Sequence, residues 1–226
     1  MSSRIRVFAT SVGTKLLIGI TGLALFLFLI SHIAGNALIL LGPTVFNHYS
    51  HTLTSNPLIP VIEIGLVLIF LVHIYKTVTM YLGNQQARPV SYQVKKSQGA
   101  PSRKTFSSTT MIFSGLWLLL FVVLHVKGFK YGPYYAAEEE GVRDLYRLVY
   151  DIFRSPVQVG FYIVSMLVVG SHLWHGAPST FQSLGLDHPR WTPRILALGK
   201  VLAAVITGGF IVIIVYVHLF AGQVGQ

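Results

Sequence analysis

Five long apolar segments follow one another along the chain, with short polar connections between them. They cover approximately residues 16–41, 59–82, 109–126, 157–177 and 195–220. Each is close to the ~20 residues that an α-helix needs to cross a hydrocarbon core of ~30 Å. Within lipid every backbone N–H and C=O must find a partner in its own segment, so runs of this kind are helical. The sequence therefore predicts an all-α integral membrane protein with five transmembrane helices, forming a single transmembrane domain over residues 1–226.

The composition supports lipid as the solvent of this chain. Hydrophobic residues make up 53% and charged residues 11% of the sequence, whereas about a quarter of a soluble domain is charged. The chain has no cysteine, which excludes disulfides, iron–sulfur clusters and thiolate zinc sites held by this chain alone. The first apolar segment is too long for a signal peptide, so we expect it to be retained.

Lysine and arginine predict how the chain is oriented. They concentrate in the N-terminal segment, the second connection and the fourth connection: Arg4, Arg6, Lys15, Arg88, Lys95, Lys96, Arg103, Lys104, Arg190 and Arg194. The positive-inside rule places these regions in the cytoplasm and the C-terminus outside. Because the net charge of +10 is explained by topology, we expect lipid contacts and no nucleic-acid partner.

The third connection mixes both signs of charge and is predicted to lie outside. Its apolar residues from Val142 to Ile152 fall on one helical face, which is typical of a short helix on the outer membrane surface. An ordinary loop helix explains the pattern equally well.

Histidines inside the apolar segments are the candidate functional residues, because ionisable groups at membrane depth are costly and usually functional. At 1.5 Å per residue, His32 and His125 lie ~25 and ~27 Å above the inner surface. His73 and His172 lie ~10 and ~6 Å above it. The four histidines thus form an outer pair and an inner pair, and each pair takes its members from two different helices.

This pairing suits two haem irons, each held by two histidines, with helices 1–4 forming the haem-binding bundle. Neutral imidazole is a good iron ligand and adds no charge to the membrane core. His172 is preferred to His175, which lies at ~1–2 Å beside Gly176 and Pro178, at the predicted helix end. His175 is instead a candidate contact for a haem propionate or a quinone. Taken singly, any of these histidines also suits a hydrogen bond between helices.

The other histidines carry weaker predictions. His48, His51 and His188 fall in predicted connections, and His218, near the outer end of the fifth segment, is predicted to be interfacial.

Glu63 is the one carboxylate inside an apolar segment. It precedes His73 by ten residues, which places it ~15 Å above that histidine, at the level of the outer pair. A buried carboxylate is unfavourable unless it is protonated, paired or hydrated. We therefore expect Glu63 to be a proton relay for a quinone, or else a water-facing residue stabilised by the helix N-terminus.

Four stretches of the sequence resemble a known family. They are "LALFLFLISHIAGN" (23–36), "VIEIGLVLIFLVHIYKTV" (61–78), "GLWLLLFVVLHVKGF" (115–129) and "SPVQVGFYIVSMLVVGSHLWHG" (155–176). The chain resembles the dihaem cytochrome b membrane anchor subunit of bacterial succinate:quinone oxidoreductases and fumarate reductases, of the single-polypeptide, five-helix type. The likeness runs over nearly the whole chain and is looser outside these stretches.

The resemblance implies a function and a location. Such a subunit lies in the bacterial cytoplasmic membrane and anchors a flavoprotein and an iron–sulfur subunit on its cytoplasmic side. It carries electrons through two b haems to or from a membrane quinone, commonly menaquinone, and the succinate-oxidising site is on a partner subunit. The proximal haem would be held by His73 and His172, and the distal haem by His32 and His125. In the family the position of His175 is not reliably histidine, which weakens a ligand role there.

Three alternatives remain open from the sequence. One is another membrane dihaem cytochrome, such as the five-helix subunit of respiratory nitrate reductase, whose haem histidines cluster on only two helices. A proton-conducting transporter would also use intramembrane histidines, although the sequence contains no inverted repeat or broken helix pair. The third alternative is a structural anchor without haem, for which the matching depths of the paired histidines would be a coincidence.

Overall fold

The computed structural model describes residues 10–87, 106–186 and 188–223. Five of its helices are long and apolar enough to cross a membrane: α1 (Ser11–Ala37), α3 (Ile59–Gln86), α4 (Met111–Phe129), α6 (Pro156–Ser183) and α7 (Thr192–Phe220). Two shorter helices, α2 (Pro43–Thr54) and α5 (Leu145–Phe153), lie in the first and third connections. The described residues contain no β-strand, and one isolated bridge pairs Ala136 with Arg143. The prediction of an all-α integral membrane protein is confirmed.

Local sequence signals determine where the long helices begin. Thr10 caps α1, and its hydroxyl accepts a hydrogen bond from the Gly13 N–H at 3.1 Å. Ser155 caps α6 in the same way, and Pro156 occupies the first turn. Proline is well suited to this position because the first N–H groups of a helix have no partner within it. Between α1 and α2, Gly42 adopts φ +99°, a conformation that favours glycine.

The first four membrane helices are arranged as a square. Helix α1 packs against α3 and α6, and α4 packs against α6 and, more thinly, against α3. Among the described residues neither diagonal, α1 with α4 or α3 with α6, has comparable backbone contact. Helix α7 lies outside the square, where it packs most extensively against α6 and also against α1. The square therefore has an interior that side chains of all four helices can reach.

Helix α6 is longer than the predicted segment 157–177. It continues through Pro178 to Ser183, so His175 lies inside the helix, and the prediction that it falls at a helix end is wrong. Proline in a helix loses one backbone hydrogen bond. Neighbouring helices make this tolerable in a membrane bundle, and here Gly199 of α7 packs on the proline ring. A Cβ added at Gly199 would lie 3.4 Å from the Pro178 Cδ.

The connections at the predicted outer end are more ordered than expected. The first contains α2, so His48 and His51 lie on a helix and not in a loop. Helix α5 is packed against α2, α4, α6 and α7, and its Leu148, Val149, Tyr150 and Phe153 are buried. This helix therefore buries its apolar face against the rest of the protein.

Candidate functional site

The four membrane histidines occupy the four helices of the square, one on each. His32 is on α1, His73 on α3, His125 on α4 and His172 on α6. The structure brings His32 and His125 together, with their ring centres 5.8 Å apart. His73 and His172 each lie beside a hydroxyl residue of the adjacent helix of the square, Thr21 and Ser114. Each pair takes its members from two diagonally opposite helices.

The two outer histidines are in direct contact. The imidazole planes of His32 and His125 are at 87° to each other, and their ring centres are 5.8 Å apart. This is an edge-to-face contact in the range of ordinary aromatic pairs. The outer level therefore supplies the two imidazole donors that a bis-histidine iron would need.

Aromatic rings surround this outer pair. The ring centre of His125 lies 5.5 Å from that of Phe121 and 5.0 Å from that of Phe129. His32 stacks on Phe28 at 5.2 Å, and Phe210 of α7 lies 5.8 Å from it. Such an environment excludes water and holds the imidazoles by packing.

The inner histidines are each held by a hydroxyl from the adjacent helix. Thr21 Oγ1 lies 3.1 Å from Nδ1 of His73, and Ser114 Oγ lies 2.9 Å from Nδ1 of His172. Each hydroxyl also lies within hydrogen-bond distance of a carbonyl of its own helix: Thr21 of Leu17 at 2.6 Å and Ser114 of Met111 at 3.0 Å. A hydroxyl that donates to such a carbonyl offers its oxygen as an acceptor for Nδ1–H of the imidazole.

A hydroxyl oxygen that accepts from Nδ1–H selects one tautomer of the histidine. A neutral imidazole that carries its proton on Nδ1 leaves Nε2 unprotonated, with its lone pair free. Metal-bound histidines nearly always donate their other ring N–H to an oxygen in this manner, and the bond sets the orientation of the ring. The Nδ1 contacts of His73 and His172 are of the kind that metal-bound histidines make.

Glycines flank the inner pair on α1 and α4. A Cβ added at Gly22 would lie 3.3 Å from the His73 Cε1, and one added at Gly115 would lie 3.9 Å from the His172 Cε1. The first distance is tighter than ordinary van der Waals contact and the second is ordinary. Gly22 therefore keeps space beside His73 that a larger residue would take.

His175 is bonded differently from His172, which lies one turn earlier. Its Nε2 lies 3.1 Å from Ser179 Oγ of the same helix. The hydroxyl contact is thus made by Nε2 on His175 and by Nδ1 on His172. This difference agrees with the preference for His172 as a ligand, and it leaves His175 as a polar neighbour of the inner pair.

Glu63 is neither buried nor alone, in contrast to the buried carboxylate that the sequence suggested. Its side chain is 45% exposed and forms an ion pair with Lys130, directly after the end of α4. The pair removes the penalty of an unpartnered carboxylate. It also ties the start of α3 to the end of α4, where these two helices have few other contacts.

The remaining histidines lie apart from both pairs. Nδ1 of His218 is 2.7 Å from the carbonyl oxygen of Phe153, so this residue fastens α7 to the end of α5. His188 lies in the connection before α7, where its Nδ1 accepts from the Arg190 N–H at 3.2 Å.

Three hydroxyl residues of the site were not identified from the sequence: Thr21, Ser114 and Tyr162. The Tyr162 hydroxyl lies 3.4 Å from Nδ1 of His125. The depth argument contained a signal for Thr21, because six residues after Lys15 correspond to ~9 Å, close to the level of His73. Which helix stands beside which histidine, however, is decided by packing.

No three His, Asp or Glu side chains converge as a metal site within residues 10–87, 106–186 and 188–223, and a bis-histidine iron needs only two. Comparison of the chain with protein-family models, with curated proteins and with solved structures finds no match. The functional argument therefore depends on the residues and their geometry.

Proposed function

We propose that this chain is the cytochrome b membrane anchor of a bacterial succinate:quinone oxidoreductase and holds two b haems. His73 and His172 would hold the proximal haem, and His32 and His125 the distal one. Bound haem supplies a one-electron couple at each level, which links an iron–sulfur partner on one side of the membrane with a quinone, such as menaquinone.

One observation carries the proposal: His73 and His172, on diagonally opposite helices, each have Nδ1 within hydrogen-bond distance of a hydroxyl of the adjacent helix. Metal-bound histidines are typically held in this way through the ring nitrogen that does not bind the metal. The outer level adds two further imidazoles, which are in contact with each other. Distribution of the ligands over four helices also argues against the nitrate reductase type, in which two helices carry them.

The location and partners belong to the same proposal. We place the chain in the cytoplasmic membrane with its N-terminus inside, its C-terminus outside, and the flavoprotein and iron–sulfur subunits on the cytoplasmic side. The concentration of Lys and Arg in the N-terminal segment and in the second and fourth connections supports this orientation. Most of these residues lie outside the described part of the chain.

The absorption spectrum of the purified chain tests the proposal directly. We expect two b-type haems per polypeptide, and succinate-dependent quinone reduction by the complex that co-purifies with it. A colourless preparation would contradict the haem proposal and favour a structural anchor or a transporter. Two haems without succinate or fumarate activity in the whole complex would favour another dihaem cytochrome.

Single variants test the assignment of each ligand. His73→Ala or His172→Ala should remove one haem, and His32→Ala or His125→Ala should remove the other, because loss of a ligand leaves an incomplete iron site. Haem content and redox titration measure this result. His175→Ala should retain both haems. Loss of a haem in that variant, with both retained in His172→Ala, would reverse the assignment on α6.

A further inference from the structure

Lys200 is a cation on the outward face of α7 and has no ion-pair partner among the described residues. It lies eight residues after Thr192, about 12 Å along the helix axis. A charge at this depth is unfavourable unless the side chain reaches the polar interface. Because helical side chains lean toward the N-terminus of their helix, the ammonium of Lys200 extends toward the start of α7.

Aromatic residues and further cations mark this end of the molecule as interfacial. The Lys200 Nζ lies 5.5 Å from the ring centre of Trp174 on α6, and Trp174 is 43% exposed. Trp191, directly before α7, is flanked by the guanidinium groups of Arg190 and Arg194 at 5.7 and 5.1 Å. Tryptophan is enriched at the level of lipid headgroups, so we infer that the Trp174–Lys200 pair lies at that level.

An open groove of about 390 Å³ lies on the surface between α6 and α7, and Trp174 is one of its lining residues. Small residues line much of the rest, among them Gly170, Ala203, Ala204 and Gly208. A Cβ added at Gly208 would meet nothing within 4 Å, which shows that the groove is open there.

We propose that the groove between α6 and α7 binds one anionic phospholipid, with an acyl chain along the small residues and the phosphate at Lys200. Charge complementarity selects this occupant. A zwitterionic lipid offers no net negative charge to the ammonium, and a neutral quinone offers none either. Basic residues between membrane helices on the side of the basic connections are a recognised arrangement for anionic headgroups. This inference does not depend on haem binding.

The test uses the full chain reconstituted in vesicles and follows quenching of tryptophan fluorescence by lipids with brominated acyl chains. The contribution of Trp174 is the difference between the wild-type chain and Trp174→Phe. Competition between brominated phosphatidylglycerol and brominated phosphatidylcholine gives their relative affinity at that site. We expect the wild-type chain to prefer phosphatidylglycerol about fivefold, the attraction that one basic residue near a membrane surface exerts on anionic lipid. The preference should vanish in Lys200→Gln.

Matched variants separate the groove from its surroundings. Gly208→Leu fills the groove and should reduce quenching of Trp174 by both lipids, whereas Gly65→Leu, on α3 and equally free of neighbours, should not. Lys127→Gln removes an exposed lysine near the other end of the bundle and should leave the preference unchanged. An equal affinity for both lipids in the wild-type chain, or a preference that survives Lys200→Gln, would overturn the proposal. So would a Trp174 that neither lipid quenches, because protein would then cover the groove.

Discussion

At the scale of single residues, the hydroxyls of Thr21 and Ser114 are predicted to tune the inner haem of the proposed cytochrome. An imidazole that donates its Nδ1–H to an oxygen is a more basic ligand and stabilises the ferric state. Thr21→Val or Ser114→Ala should therefore raise the midpoint potential of the inner haem by tens of millivolts. A hydrogen bond is worth about 1 kcal/mol, and for one electron about 59 mV corresponds to a tenfold change in equilibrium.

Redox titration measures the shift, and Tyr162→Phe serves as control because it should affect the outer haem instead. Equal shifts of both haems in Ser114→Ala would contradict a local effect.

Glu63 remains a predicted proton relay for the quinone, and its ion pair with Lys130 suggests how to separate that role from a structural one. Glu63→Gln should retain both haems and electron transfer to artificial acceptors but slow quinone turnover. Lys130→Gln breaks the same ion pair and keeps the carboxylate, so it should retain most of the turnover. Exposed ion pairs contribute only about 0–1 kcal/mol to stability, and neither variant should unfold the chain. Steady-state quinone kinetics distinguish the two roles. An equal loss of quinone turnover in Glu63→Gln and Lys130→Gln would show that the ion pair has a structural role only.

At the scale of elements, Asn47 couples the two short helices at the predicted outer end. Its amide nitrogen donates to Asp144 Oδ1 at 2.8 Å, and its amide oxygen accepts from the Tyr146 N–H at 2.9 Å. Asn47 is buried, and Asn47→Ala removes both of its hydrogen bonds. The substitution should therefore destabilise the contact between α2 and α5 by about 1–3 kcal/mol. Thermal unfolding followed by circular dichroism tests this expectation. Thr52→Ala, at an exposed position of the same helix, is the matched control and should unfold like the wild-type chain.

At the scale of the whole molecule, the uneven distribution of charge predicts where soluble partners dock. The candidates Arg4, Arg6, Arg88, Lys95, Lys96, Arg103 and Lys104 all lie outside the described residues, and topology alone is a sufficient reason for their presence. Charge reversal of Lys95 and Lys96 should weaken assembly with the partner subunits most at low salt, and the difference from the wild-type chain should shrink as salt increases, since salt screens exposed charges. Co-purification across a salt series measures this effect. If the variant recovers as much of the partner subunits as the wild-type chain at every salt concentration, these residues serve only to set the topology.

The sequence by itself determined the membrane architecture and the levels of the histidines. Apolar runs of about twenty residues leave the backbone no alternative to helices in lipid. The constant rise of a helix then converts residue number into depth, which is why His32 could be matched with His125 and His73 with His172. The C-terminal end of α6 was not predictable in this way. A proline at position 178 predicts that the helix ends there, unless Gly199 is known to pack on the proline ring.

Only the tertiary structure decided what surrounds each histidine. The depth of a residue does not say in which direction its side chain points around the helix axis, nor which helices are neighbours in the square. The hydroxyl of Thr21 could therefore not be assigned to His73 from the sequence, nor that of Ser114 to His172. The partner of Glu63 was hidden for the same reason, since Lys130 is distant in sequence and reaches it only because α3 and α4 are neighbours. A hydrogen bond depends on distances of a few ångströms between helices, and packing alone determines these distances.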